Sequence, residues 1–536
     1  MRGGRFQATQ SKLIIAAALF LTLFHNATFL DKLFATYAGT EHLWLKLASV
    51  TLLHGCVLTA LLALVGFTRI LKPLIIILLL VSSLTAYFID TYQVVIDSDM
   101  LVNMLQTDSA EVRDLLDFRL AGYFLILGLL PAALVYKLRL VVEPVGRSLA
   151  KRVGLLILSL ATAGLLVSLS SDFYASFIRT HKIVRYYTNP STPIYALFRF
   201  SREKLKGQRP EQLLTLGTDA TMPESDPHRE LVVLVVGETA RADHFSLNGY
   251  GRETNPRLAG EDVVSFGNVS SCGTSTAISV PCMFSFSERK RFDREQSEMH
   301  ENVLDVLRRA GVQILWRDNN SGSKGVADRV EFQDFRKPEN NPICDAECRD
   351  EGMLEGLDEW LASHADKDLL IVLHQMGSHG PAYYKRYPPA FEKFKPVCAS
   401  NQLDQCSREE VVNAYDNTIL YTDYFLSRVI DWLKTKSPRY ESSMLYFSDH
   451  GESLGESGVY LHGFPYALAP TAQTSVPAIL WSARENTDID LNAVHAARNQ
   501  ELSHDNMFHT LLGIFEIRSE IYQPDKDLLT YAHTYR

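Results

Sequence analysis

The sequence lacks an excess of basic charge, which excludes the charge pattern typical of nucleic-acid-binding proteins. Its 536 residues include 53 Lys and Arg against 62 Asp and Glu, for a formal net charge of −9. The later two thirds of the chain contain no basic stripe, so we expect no nucleic acid among its partners. Internal repeats and low-complexity segments are also absent from the sequence. The length indicates two or three structural units.

Charged residues are scarce in the first third of the chain, which contains five long apolar stretches. Each is near the length that crosses the hydrocarbon core of a bilayer. The first stretch resembles a signal peptide, but no small-residue cleavage site ends it and four further stretches follow, which favours an anchor. The predicted spans are Leu13–Leu30, Leu47–Phe67, Leu74–Phe88, Leu120–Tyr136 and Val153–Leu169.

Basic residues in the short loops predict the orientation of these spans. Lys and Arg are concentrated at the N-terminus and in the loops after the second and fourth spans, whereas the loop after the third span is acidic. If the basic loops lie in the cytoplasm, the acidic loop lies outside. An odd number of spans then puts the whole chain after about residue 170 outside as well.

The composition changes twice after the last span. Aromatic residues are mixed with Arg and Lys from Tyr174 to Arg202, which suits a segment lying along the membrane interface. The polar stretch Gly207–His228 is typical of a linker. We therefore predict a transmembrane domain over 1–170, interfacial helices and a linker over 171–228, and a soluble domain over 229–536.

Cysteine is also sparse, and its placement is informative. Of seven cysteines, Cys56 lies in an apolar span, where a small buried side chain is its expected role. The other six form three close pairs, and nearest-neighbour disulfides would close three short loops, although six cysteines allow other connectivities. Disulfides imply an oxidising compartment, in agreement with the span orientation. The pairs are Cys272 with Cys282, Cys344 with Cys348, and Cys398 with Cys406.

Short apolar runs in the soluble part predict buried parallel strands. Helical patterns lie between them, and strands that alternate with helices predict an α/β domain. The runs are Leu231–Val236, Leu369–Leu373, Met444–Phe447 and Val476–Leu480, and the helical patterns include Glu301–Ala310, Met353–His364 and Glu409–Leu433.

Acids and histidines follow three of these strands. Glu238 comes after the first run, His374 and His379 after the second, and Asp449 and His450 after the third. Ligands of such sheets collect at the carboxyl ends of the strands. Because carboxylate and imidazole groups together suit a hard-to-borderline cation, the sequence predicts a metal site at this edge.

The loop Ser271–Cys282 is rich in hydroxyl groups and begins a helical pattern. One interpretation is a helix N-terminus capped by Ser or Thr. A second is a nucleophilic hydroxyl fixed by the nearby cysteines at a position where backbone N–H groups favour phosphate. The two are compatible, and the residues alone leave Thr274 and Thr276 as competing candidates.

Four motifs in this order resemble the lipid A phosphoethanolamine transferases, a family that includes the mobile colistin-resistance enzymes. They are Val-Val-Gly-Glu-Thr-Ala-Arg-Ala-Asp-His (235–244), Cys-Gly-Thr-Ser-Thr-Ala (272–277), His-Gln-Met-Gly-Ser-His-Gly-Pro (374–381) and Ser-Asp-His-Gly-Glu-Ser-Leu-Gly-Glu (448–456). The resemblance covers essentially the whole chain. It implies an N-terminal five-helix transmembrane domain and a C-terminal periplasmic α/β/α domain of the alkaline-phosphatase (sulfatase-like) fold, in the bacterial inner membrane.

The resemblance also implies the roles of individual residues. It makes Thr276 the catalytic residue that becomes phosphoethanolaminated, and it implies a zinc ion bound by Glu238, Thr276, Asp449 and His450. Phosphoethanolamine would be surrounded by residues of the 318–325 and 460–463 motifs and by one further histidine. These residues are Asn320, Lys324, His379 and His462.

The implied activity is transfer of phosphoethanolamine from phosphatidylethanolamine to a phosphate of lipid A, with release of diacylglycerol. Both substrates are membrane lipids, and one chain is expected to act as a monomer. A cationic amine on the acceptor would reduce the negative surface charge and so weaken attraction to polymyxins such as colistin.

Four alternatives to this activity can be weighed on the residues. The acceptor could be another lipopolysaccharide sugar, such as heptose or Kdo, and the transferred group could be phosphoglycerol. A sulfatase is disfavoured because the 272–282 loop lacks the Cys/Ser-x-Pro-x-Arg signature. A membrane sensor with a degenerate site is the non-enzymatic alternative, and a complete set of ligand types at the strand ends argues against it.

Overall fold

The computed structural model describes residues 7–67, 69–107, 109–206, 213–223, 228–437, 439–530 and 532. The chain divides into two compact units, Met1–Leu101 with Leu115–Ser201, and Val102–Asp114 with Arg202–Arg536. A short segment between two predicted spans thus belongs to the second unit. The linker predicted over 207–228 falls in part on residues 207–212 and 224–227, which lie outside the described residues.

The first part of the chain is helical. A parallel pair of two-residue strands, β1 (Gln7–Ala8) and β2 (Arg139–Leu140), accompanies the helices. The helices are α1 (Gln10–Phe24), α2 (Ala27–Tyr37), α3 (Leu43–Val65), α4 (Leu71–Tyr92), α5 (Ser98–Gln106), α6 (Ser109–Leu115), α7 (Phe118–Tyr123), a π-helical turn (Phe124–Leu129), α8 (Leu130–Lys137), α9 (Val145–Leu169), α10 (Ser171–Thr180), α11 (Lys182–Tyr186) and α12 (Ser191–Lys206).

By length and composition, the described residues include four helices that could cross a membrane, and a fifth if the bent pair α1–α2 is one span. The four are α3, α4, the continuous stretch Phe118–Lys137, and α9. This agrees with the five predicted spans, except that the first is broken by a bend of 61°. At the break, Asn26 Nδ2 donates to Leu21 O (2.8 Å) and to Asn189 O (2.7 Å). A backbone carbonyl freed at an apolar helix end needs such a donor.

The second unit is built on an eight-stranded sheet. Its order is β12-β4-β11-β8-β3-β7-β5-β6, and a two-stranded hairpin, β9 (Ser453–Leu454) with β10 (Tyr460–Leu461), lies apart from it. The strands of the sheet are β3 (Glu230–Gly237), β4 (Val263–Ser270), β5 (Gln313–Asp318), β6 (Glu331–Asp334), β7 (Leu369–His374), β8 (Glu441–Ser448), β11 (Ser475–Ser482) and β12 (Leu502–Ser503).

One strand prediction is wrong in direction. The run Val476–Leu480 lies in β11, which pairs antiparallel with both β4 and β8. A parallel partner needs a long crossover, usually a helix. Between β8 and β11 the chain forms the β9–β10 hairpin, two single-turn helices and the four-residue helix Thr471–Thr474, and none of these is a helix long enough to cross the face of the sheet. The chain therefore returns antiparallel. A buried strand has the same apolar composition whether it is parallel or antiparallel to its neighbours. The sequence therefore did not predict the direction of β11.

Helices cover both faces of the sheet. The even-numbered side chains of β3, such as Val232 and Leu234, pack in one core cluster with α13, α15 and α20, and the odd-numbered ones in a second with α16 and α17. These two layers make the α/β/α architecture that was predicted. The helices are α13 (Thr276–Met283), α14 (Arg294–Ser297), α15 (Val303–Ala310), α16 (Leu357–Ser363), α17 (Arg408–Lys434), α18 (Thr471–Thr474), α19 (Leu491–Ala497) and α20 (Met507–Ile514).

Candidate functional site

Sheet register brings the strand-end residues together. The last residue of β3, Gly237, is paired with Ser448, the last residue of β8, so Glu238 and Asp449 leave adjacent parallel strands at the same level. On the other side of β3, Val236 is paired with His374 at the end of β7. The carboxyl edge of the sheet therefore carries this group of polar side chains, as the apolar runs predicted.

Thr276 is the first residue of α13 and lies against this edge. Its Oγ1 donates to Glu238 Oε2 (3.0 Å) and is 3.4 Å from His450 Nε2. The neighbouring candidate, Thr274, donates instead to the carbonyl of Phe464 (2.6 Å). The structure thus provides a geometric distinction between the two hydroxyls that the sequence left open.

The loop that carries Thr276 is tied to the sheet edge at several points. The Cys272–Cys282 disulfide joins the start of the loop to the end of α13. Within that helix, the Ser279 hydroxyl donates to the carbonyl of Asp449. Because both ends of the loop are fixed, the Thr276 hydroxyl is held in place beside Glu238, as a nucleophile requires.

Two buried carboxylate oxygens at the carboxyl edge of the sheet are suited to bind a metal ion. Within the described residues, Glu238 Oε1 and Asp449 Oδ2 are buried and have no hydrogen-bond partner. The ligand atoms of Glu238, Asp449 and His450 all lie within 4.8 Å of one another. A buried polar atom without a partner is costly, and a cation bound by these oxygens would relieve that cost.

Hydrogen bonds aim these ligand atoms at a common point. Asp449 Oδ1 accepts from the backbone N–H groups of Thr239 (3.2 Å) and His450 (2.7 Å), which leaves Oδ2 for the site. Thr239 has a φ of 51°, a left-handed conformation that is unusual for a β-branched residue. His450 Nδ1 donates to the carbonyl of Gly451 (2.9 Å), so the lone pair of the neutral ring is on Nε2.

The protonation of the three groups reflects their burial. Burial raises the pKa of Glu238, and the nearby Asp449 carboxylate raises it further. Burial also raises the pKa of Asp449 to about 6 and lowers the pKa of His450 to about 4. Two crowded acids beside a neutral imidazole form a donor set that a divalent cation would stabilise, because it offsets the carboxylate repulsion.

His462 and His379 lie next to this group. The ring of His462 is 4.4 Å from that of His450 and 5.7 Å from that of His379, measured between centroids. His462 Nδ1 donates to Glu452 Oε2 (2.9 Å), whose other oxygen accepts from the Tyr383 hydroxyl (2.8 Å). Burial raises the pKa of Glu452 to about 7. The short distances between the rings place His462 and His379 in the same part of the site as His450.

Asn320 and Lys324 lie on the loop that follows β5. Asn320 Nδ2 donates to Glu238 Oε2 (2.7 Å) and to the carbonyl of Gln375 (2.7 Å), so it contacts Glu238, one of the predicted metal ligands. Lys324 Nζ donates to the carbonyls of Ser321 (3.0 Å) and Gln106 (3.5 Å). Lys324 therefore lies on the same loop as Asn320, and two of its contacts are with backbone oxygens.

Sequence reasoning missed two residues that organise these loops. Asp350, fully buried, accepts from Asn319 Nδ2 (2.8 Å) and from the backbone N–H of Met376 (2.8 Å), and so links the loops that carry Asn320 and His379. Tyr383 fixes Glu452, as described above. Neither residue follows a strand that the sequence predicted, so no local pattern distinguished them.

The three disulfides join nearest neighbours, Cys272–Cys282, Cys344–Cys348 and Cys398–Cys406, as predicted. Cys56 is free and buried.

Known proteins similar to this chain include membrane-bound transferases. A family model for sulfatases matches residues 230–517, and one described as phosphoethanolamine transferase EptA/EptB matches residues 55–205. The chain is 47% identical to phosphatidylethanolamine transferase Mcr-1 of Escherichia coli over 519 residues, 95% of each chain. It is 38% identical to phosphoethanolamine transferase EptA of Escherichia coli K12 over 528 residues, 96% of each chain.

The fold is similar to that of a solved membrane protein. Lipooligosaccharide phosphoethanolamine transferase A from Neisseria meningitidis, an integral membrane protein, matches with a TM-score of 0.94 and 35% identity. The match covers 98% of this chain and 99% of that chain.

Proposed function

The chain belongs to the phosphoethanolamine transferase family, and from this premise we propose that it transfers phosphoethanolamine from phosphatidylethanolamine to a phosphate of lipid A. One observation carries the proposal: the Thr276 hydroxyl donates to Glu238 beside two buried carboxylate oxygens that have no hydrogen-bond partner within the described residues. The chain is an integral protein of the bacterial inner membrane with its second unit in the periplasm.

Glu238, Asp449 and His450 are proposed to bind zinc, with Thr276 as a fourth ligand. Two carboxylates, an imidazole and a hydroxyl suit a four-coordinate Zn²⁺ site. When bound, zinc would supply positive charge that favours the ionised form of a hydroxyl and offsets charge on phosphoryl oxygens.

In the first half-reaction, Thr276 Oγ1 attacks the phosphorus of phosphatidylethanolamine. The bond from phosphorus to the diacylglycerol oxygen breaks as the Thr276 oxygen–phosphorus bond forms. The hydroxyl proton passes along the existing hydrogen bond to Glu238 Oε2. His462, whose Nδ1–H is held by Glu452, enters the step protonated on Nε2 as well and gives that Nε2 proton to the departing diacylglycerol oxygen. Asn320, which holds Glu238 through Nδ2, borders the phosphoryl group, and Lys324 contributes a hydrogen bond to it.

In the second half-reaction, a phosphate oxygen of lipid A attacks the same phosphorus and the Thr276 oxygen–phosphorus bond breaks. The proton of the attacking phosphate passes to His462 Nε2, and Thr276 leaves as the hydroxyl because it takes back the proton held by Glu238. This scheme gives ping-pong kinetics with a covalent phosphoethanolamine–threonine intermediate. One chain contributes every residue of the scheme, so we infer that a monomer suffices.

The test is mass spectrometry of lipid A from polymyxin-sensitive bacteria that express the protein. We expect phosphoethanolamine on lipid A and reduced colistin susceptibility with the wild type, and neither with Thr276→Ala. Lipid A that stays unmodified while a heptose or Kdo residue gains the group would contradict the proposed acceptor. Gain of phosphoglycerol would contradict the proposed donor.

A further inference from the structure

A cavity of about 270 Å³ adjoins the candidate site within the second unit. Asn320 and His379 line it, and both belong to the surroundings proposed for phosphoethanolamine. Its lining also includes Asp114 and residues of the loop closed by the Cys344–Cys348 disulfide. A headgroup whose phosphorus is bound at Thr276 could therefore extend into this cavity.

The positive charges that line the cavity are already paired. Arg386 is almost fully buried, donates through Nε to the carbonyl of His379 (2.7 Å) and through Nη2 to Asp114 (3.2 Å), and pairs through Nη1 with Glu347 Oε1. Arg336 donates to both oxygens of Asp334 (2.9 and 2.8 Å). Because these guanidinium groups are engaged by carboxylates, the cavity is a poor site for a second anion.

Glu347 presents an unused acceptor to the same cavity. Its Oε1 pairs with Arg386, whereas its Oε2 is buried and has no hydrogen-bond partner within the part of the chain that the structure describes. A carboxylate oxygen only accepts hydrogen bonds, so the missing partner is a donor. Donors that carry positive charge make the strongest such bonds.

We propose that this cavity binds the ammonium group of the donor's ethanolamine headgroup, with Glu347 Oε2 as its acceptor. The proposal rests on the proposed function, in which phosphatidylethanolamine is the donor. The ammonium is two carbons from the phosphate ester oxygen, and it has three N–H donors. Glu347 is then a residue that determines specificity for a primary amine over an uncharged headgroup.

The test compares two donors with the full-length protein in detergent micelles. One is phosphatidylethanolamine, and the other is phosphatidylpropanol, in which a methyl group replaces the ammonium. The measured quantity is the ratio of the rates at which the two lipids label Thr276 in the absence of acceptor. The variants are Glu347→Gln, which keeps the shape but removes the charge, and Glu261→Gln, which removes an ion-paired carboxylate that does not line the cavity.

We expect Glu347→Gln to lower this ratio by about tenfold to a hundredfold, the loss typical of one hydrogen bond to a charged group. The rate with phosphatidylpropanol should stay at the wild-type level, which also shows that the variant is folded. Glu347→Asp should restore part of the ratio, and Glu261→Gln should leave it unchanged. An unchanged ratio in Glu347→Gln, or an equal loss with both lipids, would overturn the ammonium site. If the wild type is labelled by neither lipid, the proposed function itself fails.

Discussion

Replacing Thr276 and Thr274 separately by valine tests which hydroxyl is the nucleophile, because the two side chains are similarly buried but have different partners. In Thr276→Val, Glu238 Oε2 loses one donor and keeps the bond from Asn320 Nδ2 (2.7 Å). The stability cost should therefore be about 1.5 kcal/mol, the lower limit for a hydrogen bond to a charged group. In Thr274→Val, the buried carbonyl of Phe464 loses its donor, at a cost of about 1–3 kcal/mol.

The two variants should thus differ little in Tm, each falling by a few degrees. Their activities should differ greatly. Loss of the nucleophile is expected to lower the transfer rate by more than about a thousandfold, whereas Thr274→Val should stay within about tenfold of the wild type. The assay is release of diacylglycerol from phosphatidylethanolamine in micelles, with Tm measured on the same samples. Equal loss of activity in both variants, or full activity in Thr276→Val, would refute the assignment.

Three further outcomes are expected. Asp449→Asn replaces a buried ligand oxygen and should raise the dissociation constant for zinc by more than about a hundredfold, measured by competition with a chelating dye; an unchanged value would exclude Asp449 as a ligand. Tyr383→Phe removes the donor to Glu452 (2.8 Å), so it should lower stability by about 1–3 kcal/mol and kcat by about tenfold. The control variant Tyr387→Phe should keep the wild-type kcat. Equal losses of kcat in the two variants would argue against a role of Tyr383 in orienting His462. Burial raises the pKa of Asp423 to about 6 from an unperturbed 3.8, so this group stabilises the fold below about pH 4 and loses about 3 kcal/mol of that contribution as pH rises to about 6. The Tm of the wild type should accordingly fall relative to Asp423→Asn over that range, and parallel curves would contradict the shift.

The part of the site that lies directly after apolar strands was predictable from the sequence. Glu238, Asp449 and His450 each follow a buried run, and parallel strands carry their ends to one edge whatever the intervening chain does. Their placement is confirmed, and their role as zinc ligands stays a prediction. The residues alone did not predict which of two hydroxyls lies beside Glu238, since Thr274 and Thr276 are two residues apart and only their hydrogen-bond partners distinguish them.

Other features depend on contacts between distant segments. The ion pair of Asp114 with Arg386 joins residues that are 272 positions apart in the sequence. No local sequence pattern could therefore predict that Val102–Asp114 belongs to the second unit. The hydrogen bond of His462 to Glu452 was also not predictable, because the hairpin β9–β10 folds the chain back to bring these two residues together. The antiparallel direction of β11 likewise follows from a connection that lacks a crossover helix, and not from the composition of the strand.

The proposed mechanism depends on a covalent intermediate at Thr276. The most direct measurement is peptide mass spectrometry of the detergent-solubilised, full-length wild type after incubation with phosphatidylethanolamine and no acceptor. We expect phosphoethanolamine attached to Thr276, formed together with diacylglycerol and lost when lipid A is added. Turnover of both lipids without any adduct, or an adduct on Thr274, would contradict it.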